Sequence, residues 1–239
     1  MTSYLIQRSK DLKELSQDIS NYLVDQINKI LLEKERAQIS LSGGSTPLLT
    51  YKILSKAQIP WSRVDVFLGD ERWVDPDSET SNTLMIKKSL LSSYPGSTAK
   101  FYPLPTTDYP SPEKSADAYS LLLKSKLKVD NSLPVFDLVL LGLGDDGHTA
   151  SLFPNSKSLS EANKIATTSE GKGQQRVTLT YPVLSASKRI IFLISGKAKQ
   201  KAIKRLLDEF EPVERTPAKL ITSKGQIIIF GDEEALQHV

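Results

Sequence analysis

Asp137–Pro154 reads DLVLLGLGDDGHTASLFP, and this stretch decides the fold class. Leu138–Leu141 is an uninterrupted apolar run, the pattern of a strand covered on both faces. The run passes directly into a turn holding Gly142, Gly144 and Gly147 and ending on His148. Open α/β sheets place their sites where a buried parallel strand delivers a glycine turn and a polar side chain at its C-terminal end. The chain holds two histidines, and the other, His238, is next to the last residue, where chains tend to fray. If an imidazole does chemistry here, it is His148.

Two upstream stretches share this construction. Ala37–Leu41 reads as a short buried strand followed by Ser42-Gly43-Gly44-Ser45-Thr46-Pro47 and a helix to about Lys56. Thr46 suits the N-cap and Pro47 the first helical position. Glycines that let a backbone approach a ligand, two hydroxyls and the free N–H groups of a helix N-terminus together make a phosphate cradle. An ordinary capped βα turn has the same pattern. It is not a P-loop, because the Gly-Lys-Ser/Thr ending is absent. Val64–Leu68 is the next strand and runs into Gly69-Asp70-Glu71-Arg72-Trp73. Those charges suit a solvated loop, or an anion site in which Arg72 offers a planar fork and Asp70 accepts from sugar hydroxyls.

The remaining pattern alternates helices and strands. Asp11–Glu35 carries Leu12, Leu15, Ile19, Leu23, Ile27, Ile30 and Leu31 at helical spacing, and Ser81-Asn82 can cap a helix to about Leu91. Tyr94–Pro112 is expected to wrap the surface, Glu113–Leu127 to be a helix, and Val135–Leu141 to be the central strand. Ser156–Gly173 reads as a polar loop, Arg176–Tyr181 and Arg189–Ile194 as strands, and Gln226–Phe230 as the strand that closes the sheet. A basic helix starts after Ser195-Gly196. Alternation of this kind predicts an α/β fold with a mostly parallel sheet covered on both faces, in one domain over residues 1–239.

Composition removes several functions. Among 239 residues the net charge is +3, with basic residues dispersed, so neither nucleic acid nor an anionic membrane is an expected partner. There is no cysteine, which excludes disulfides, thiolate nucleophiles and cysteine-ligated metals. No run approaches the roughly 18 apolar residues of a membrane span, and the N-terminus has no signal core. A soluble, cytoplasmic protein without metal or cofactor is expected. Gly142, Gly144 and Gly147 formally satisfy a dinucleotide-binding pattern, but Pro154 would stop the following helix within two turns. The acidic residue expected about twenty positions on would fall in a polar loop.

GLGDDGHTASLFP, preceded in order by LSGGSTP and GDERWV, closely resembles the 6-phosphogluconolactonase family, whose wider superfamily includes the glucosamine-6-phosphate deaminases. The resemblance covers essentially the whole chain. It implies a three-layer α/β/α fold of modified Rossmann-like, deaminase-like type and hydrolysis of 6-phospho-D-glucono-1,5-lactone to 6-phosphogluconate in the oxidative pentose phosphate pathway. It also implies that His148 is the general base, that Gly43, Gly44, Ser45 and Thr46 hold the sugar phosphate, and that Arg72 is the arginine of the DER motif. Arg176 and Lys199 become the phosphate clamps, with Lys197 a substitute for the latter.

The chemistry suits these residue types. A δ-lactone is an activated ester and needs no covalent nucleophile. His148 would deprotonate the attacking water, with the oxyanion met by N–H groups of the glycine turn around Gly144 or by Arg72, beside Asp70. Asp146 would orient His148 or brace the turn, with bracing preferred. The deaminase relatives carry a glutamate five residues after the histidine; here that residue is Phe153, which transfers no proton. A non-catalytic sugar-phosphate sensor would share the fold, but no helix-turn-helix segment accompanies it. The chain departs from the family at Ser78, where many members have histidine, at Gln200 after Lys199, and in a C-terminal segment lacking tryptophan.

Overall fold

Leu138–Leu141 is buried along its whole length in the computed structural model, which describes residues 3–223 and 225–239. In chain order the elements are β1 (Ser3–Ser9), α1 (Leu12–Glu33), β2 (Ala37–Leu41), α2 (Thr46–Leu54), β3 (Val64–Leu68), β4 (Asp70–Arg72), α3 (Asn82–Ser89), β5 (Lys100–Tyr102) and α4 (Pro112–Lys126). They continue as β6 (Lys128–Asp130), β7 (Leu133–Val135), β8 (Leu138–Gly142), β9 (Ala166–Gly171), β10 (Gln174–Leu179), α5 (Tyr181–Ser185), β11 (Ile190–Ile194), α6 (Gln200–Leu207) and β12 (Gln226–Asp232).

Seven strands form one wholly parallel sheet in the order β1-β12-β11-β8-β2-β3-β5, with β8 at its centre. Helices cover it, giving the expected three-layer α/β fold. α1 turns Leu15, Ile19, Leu23 and Ile27 inward at full burial, as its spacing predicts, and Asp11 caps it by accepting from the N–H groups of Lys13 and Glu14. No helix of the described residues is long and apolar enough to cross a membrane.

The order of the strands creates the site. β2 and β8 are neighbours, yet the chain leaves β2 through α2 toward β3 and leaves β8 toward β11 on the opposite side. Connections that diverge from adjacent parallel strands open a crevice at their C-terminal ends. The SGGSTP and GLGDDGH turns face each other across that crevice.

Several expectations need correction. Gln226–Phe230 does not close the sheet, because β1 pairs outside β12 in register Ser3↔Gln226 to Ser9↔Asp232. Ser3–Ser9 has only one covered face, so its apolar signal is diluted and reads poorly as a strand. The expected strand Val135–Leu141 is two elements: β7 pairs antiparallel with β6, and β8 begins only after Asp137. Asp137 is fully buried, accepting from the ammonium groups of Lys34 (2.7 Å) and Lys188 (3.0 Å) and from the Gln38 N–H. Tyr94–Pro112 contains β5, the other edge strand. Ser156–Gly173 ends in β9, and β4, β10 and β9 make a separate antiparallel sheet. The DER residues are therefore a strand rather than a solvated loop, with Asp70 and Glu71 both buried. At α2 the cap is Ser45, not Thr46, and Pro47 is the second helical residue.

Candidate active site

The turn after β8 is tied by short local bonds. The Gly144 N–H donates to the His148 carbonyl (2.7 Å) and the Gly147 N–H to the Gly144 carbonyl (3.0 Å). Asp146 Oδ1 accepts twice from His148, from its backbone N–H at 3.0 Å and at 2.5 Å from ring Nδ1. Asp146 thus braces the turn and orients the imidazole at once. Gly144 is required by this packing, since a Cβ there would lie 2.0 Å from His148 Nδ1 and 2.6 Å from Asp146 Oδ1.

Burial by itself would raise the Asp146 carboxyl. The hydrogen bonds and charge of His148, with Lys172 nearby, outweigh it and hold the carboxyl down to about 2. A carboxylate ionised at neutral pH only accepts, so the neutral imidazole carries its proton on Nδ1 and leaves Nε2 as a free base. The ring is partly exposed, and its centroid lies 4.5 Å from that of Phe153. The Arg176 guanidinium sits over the same phenyl ring at 5.3 Å.

The loop after β2 faces this turn. Gly44 adopts φ +99, a left-handed conformation that glycine accepts without strain. The N–H groups of Gly43, Gly44 and Ser45 find no acceptor among the described residues. Gly43 lies against Asn82, whose Oδ1 a Cβ would meet at 1.9 Å. Asn82 also links the next wall: its Oδ1 accepts from Arg72 Nη1 at 2.7 Å, and its Nδ2 donates to the Asp70 carbonyl at 2.9 Å. Behind it the Glu71 carboxylate caps α3, accepting from the N–H groups of Asn82 (2.8 Å) and Thr83 (2.7 Å) and from that of Arg72 (2.8 Å). Burial pushes the Glu71 carboxyl up despite these bonds.

β4 and β10 set Arg72 directly opposite Arg176. Two guanidinium groups in register repel. Asp70 offsets this from 3.8 Å on the Arg176 side while accepting a short bond from the Ser151 hydroxyl. Burial, with Arg72 adding to it, still pushes Arg176 down. Arg72 Nε is buried without a hydrogen-bond partner. Burial likewise pushes the Lys199 ammonium down, assisted by Lys172.

One cleft of about 210 Å³ is lined by Gly43, Gly44, Ser45, Thr46, Asp70, Arg72, Gly144, His148, Arg176 and Lys199. Asp146 is not in that lining; it sits behind His148. Of the two candidate lysines, Lys199 reaches the cleft and Lys197 does not. Two further polar side chains of the lining give no such signal in the sequence. Asn82 looked like part of a helix cap, and Lys172 lies at the tip of a hairpin that read as loop. Gly144 and Gly147 use their own N–H groups within the turn, so they do not supply the oxyanion donors expected of it. Among the described residues no group of three or more histidine, cysteine, aspartate or glutamate side chains could hold a metal ion.

The cleft brings an imidazole together with Arg72, Arg176, Lys199 and the free amides of the SGGSTP loop. It can bind an anionic group remote from a carbon that is attacked by water. Comparison with known proteins leads to the same kind of chemistry. The family model described as glucosamine-6-phosphate isomerases/6-phosphogluconolactonase matches residues 10–229. A 6-phosphogluconolactonase of Synechocystis sp. is 36% identical over 210 residues, covering 87% of each chain. That of Nostoc sp. is 32% identical over 232 residues, covering 97% of this chain and 92% of its own. The solved structure of 6-phosphogluconolactonase from Trypanosoma brucei superposes with a TM-score of 0.89 at 28% identity, covering 100% of both chains. On these grounds the chain belongs to the 6-phosphogluconolactonase family, within the wider group of glucosamine-6-phosphate isomerases and 6-phosphogluconolactonases.

Proposed function

We propose that this enzyme hydrolyses 6-phospho-D-glucono-1,5-lactone to 6-phosphogluconate, with His148 as general base. The observation that carries the reading is the His148–Asp146 pair facing, across a single cleft, the free amides of Gly43–Ser45. Nε2 of His148 takes a proton from water as its oxygen attacks the lactone carbonyl. The tetrahedral oxyanion develops against Arg72. Collapse breaks the bond to the ring oxygen, which receives the proton back from Nε2, so the imidazole is regenerated neutral. Asp146 stabilises the transient imidazolium and fixes the ring's orientation.

The phosphate at the far end of the substrate is held by the amides of Gly43, Gly44 and Ser45, by the hydroxyls of Ser45 and Thr46, by Arg176 and by Lys199. Its binding energy aligns the carbonyl over His148. Asp70, beside Arg176, accepts from sugar hydroxyls at the edge of the cleft. Phe153, where the deaminase relatives carry a proton-transferring glutamate, supports lactone hydrolysis over ring-opening isomerisation.

The test generates the lactone with glucose-6-phosphate dehydrogenase and follows its loss with and without the protein. Acceleration is expected, and His148→Ala should cost roughly 100-fold or more in kcat with the fold intact. Tight binding of 6-phosphogluconate without any acceleration would replace this reading with that of a sensor.

A further inference from the structure

The geometry points to Lys172 as a movable phosphate ligand, carried on the β9–β10 hairpin tip at the cleft wall and parked on Asp145 until an anionic substrate draws its ammonium onto the phosphate. This rests on the lactonase reading of the site and adds a residue to its anionic end.

Gly171 pairs with Gln174, so Lys172-Gly173 is a two-residue hairpin loop. Lys172 has φ +53 and Gly173 φ +73. Consecutive left-handed residues define the turn type that favours asparagine or glycine at its first position. A lysine held there carries conformational strain that a surface charge would not require. Lys172 also lines the same cleft as His148, Arg176 and Lys199.

Its present partner holds it weakly. Lys172 Nζ lies 3.3 Å from Asp145 Oδ1, longer than the roughly 2.7–2.9 Å of a strong charge-assisted bond, and both side chains are more than half exposed. Exposed pairs of this kind contribute little. A phosphate dianion already facing Arg176 and Lys199 offers more negative charge and more acceptor oxygens than one carboxylate. The flexible four-carbon stem lets the ammonium exchange one for the other without moving the strands. Asp145 adjoins Asp146, so the parked lysine is kept within reach of the catalytic turn.

The test compares wild type, Lys172→Met, Lys172→Arg and Asp145→Asn on two substrates: the 6-phosphorylated lactone and phosphate-free glucono-1,5-lactone. For Lys172→Met the ratio of kcat/KM, phosphorylated over phosphate-free, should fall about tenfold, mainly through KM, and Lys172→Arg should restore most of it. Asp145→Asn, which releases the lysine, should raise the ratio. Isothermal titration with 6-phosphogluconate should show the same ordering. Equal losses on both substrates, or no change in the ratio, would overturn the proposal, the first by making Lys172 a structural brace. Failure of the lactonase reading is separate, since wild type would then accelerate neither lactone.

Discussion

Gly144→Ala tests the coupling between backbone and imidazole most directly. The substitution leaves the backbone unstrained, since Gly144 is not among the positive-φ glycines. Its new Cβ would lie 2.0 Å from His148 Nδ1 and 2.3 Å from Cε1, whereas ordinary contact begins near 3.4 Å. The backbone cannot readily yield, because the turn is closed by bonds of 2.7 and 3.0 Å. The side chains must move instead, and both have solvent beside them, at 18% exposure for His148 and 38% for Asp146. The ring therefore retreats by roughly 1 Å or more, a misplacement of the kind that lowers rates about 100-fold. Loss of the 2.5 Å bond to Asp146 adds to this. The fold should lose only about 1–3 kcal/mol, the usual range for overpacking. The assay is coupled lactone hydrolysis alongside thermal unfolding. Gly69→Ala serves as control, because its Cβ meets nothing nearer than 3.6 Å. A folded Gly144→Ala enzyme with kcat within threefold of wild type would refute the assignment of His148 as a positioned base.

Asp146→Asn should show its stability effect at neutral pH and not in acid. The folded carboxyl is held down to about 2, so the unfolded chain binds its proton more tightly. The stabilisation is present above about pH 4 and disappears as pH falls through 2. The gap in Tm between wild type and variant should therefore narrow over that interval, and a gap constant from pH 7 to 2 would contradict this. Glu71→Gln replaces one oxygen of a carboxylate that accepts from three backbone N–H groups with a donor. It should lower stability by about 2 kcal/mol, read as a Tm fall of about 5 °C. It should also raise KM by loosening Arg72 and Asn82; an unchanged Tm would show that the cap matters little.

Three residues of the proposed site stand out in the sequence because each lies in the turn or strand that follows a buried strand. Leu138–Leu141, Ala37–Leu41 and Val64–Leu68 are strands buried on both faces, and a buried strand fixes where its following turn must emerge. His148, Ser45 and Arg72 were therefore readable as site candidates before any contact was known. The strands that the sequence pattern does not show, β1, β4, β5, β6 and β9, all lie at sheet edges, paired on one side only, where the apolar signal is weakest. Lys172 escapes for the same reason, since β9, which leads into its turn, carries mainly Thr, Ser and Glu.

By itself the sequence determined the local elements, the glycine turns and the identity of the single internal histidine, because strand periodicity and turn chemistry act over a few residues. Only the tertiary structure decided that β8 lies beside β2, so that turns about 100 positions apart share one crevice. It alone set Arg72 opposite Arg176 and gave Asp146 two bonds to His148 rather than one. Those outcomes depend on strand order, register and packing between distant segments, which no local pattern encodes.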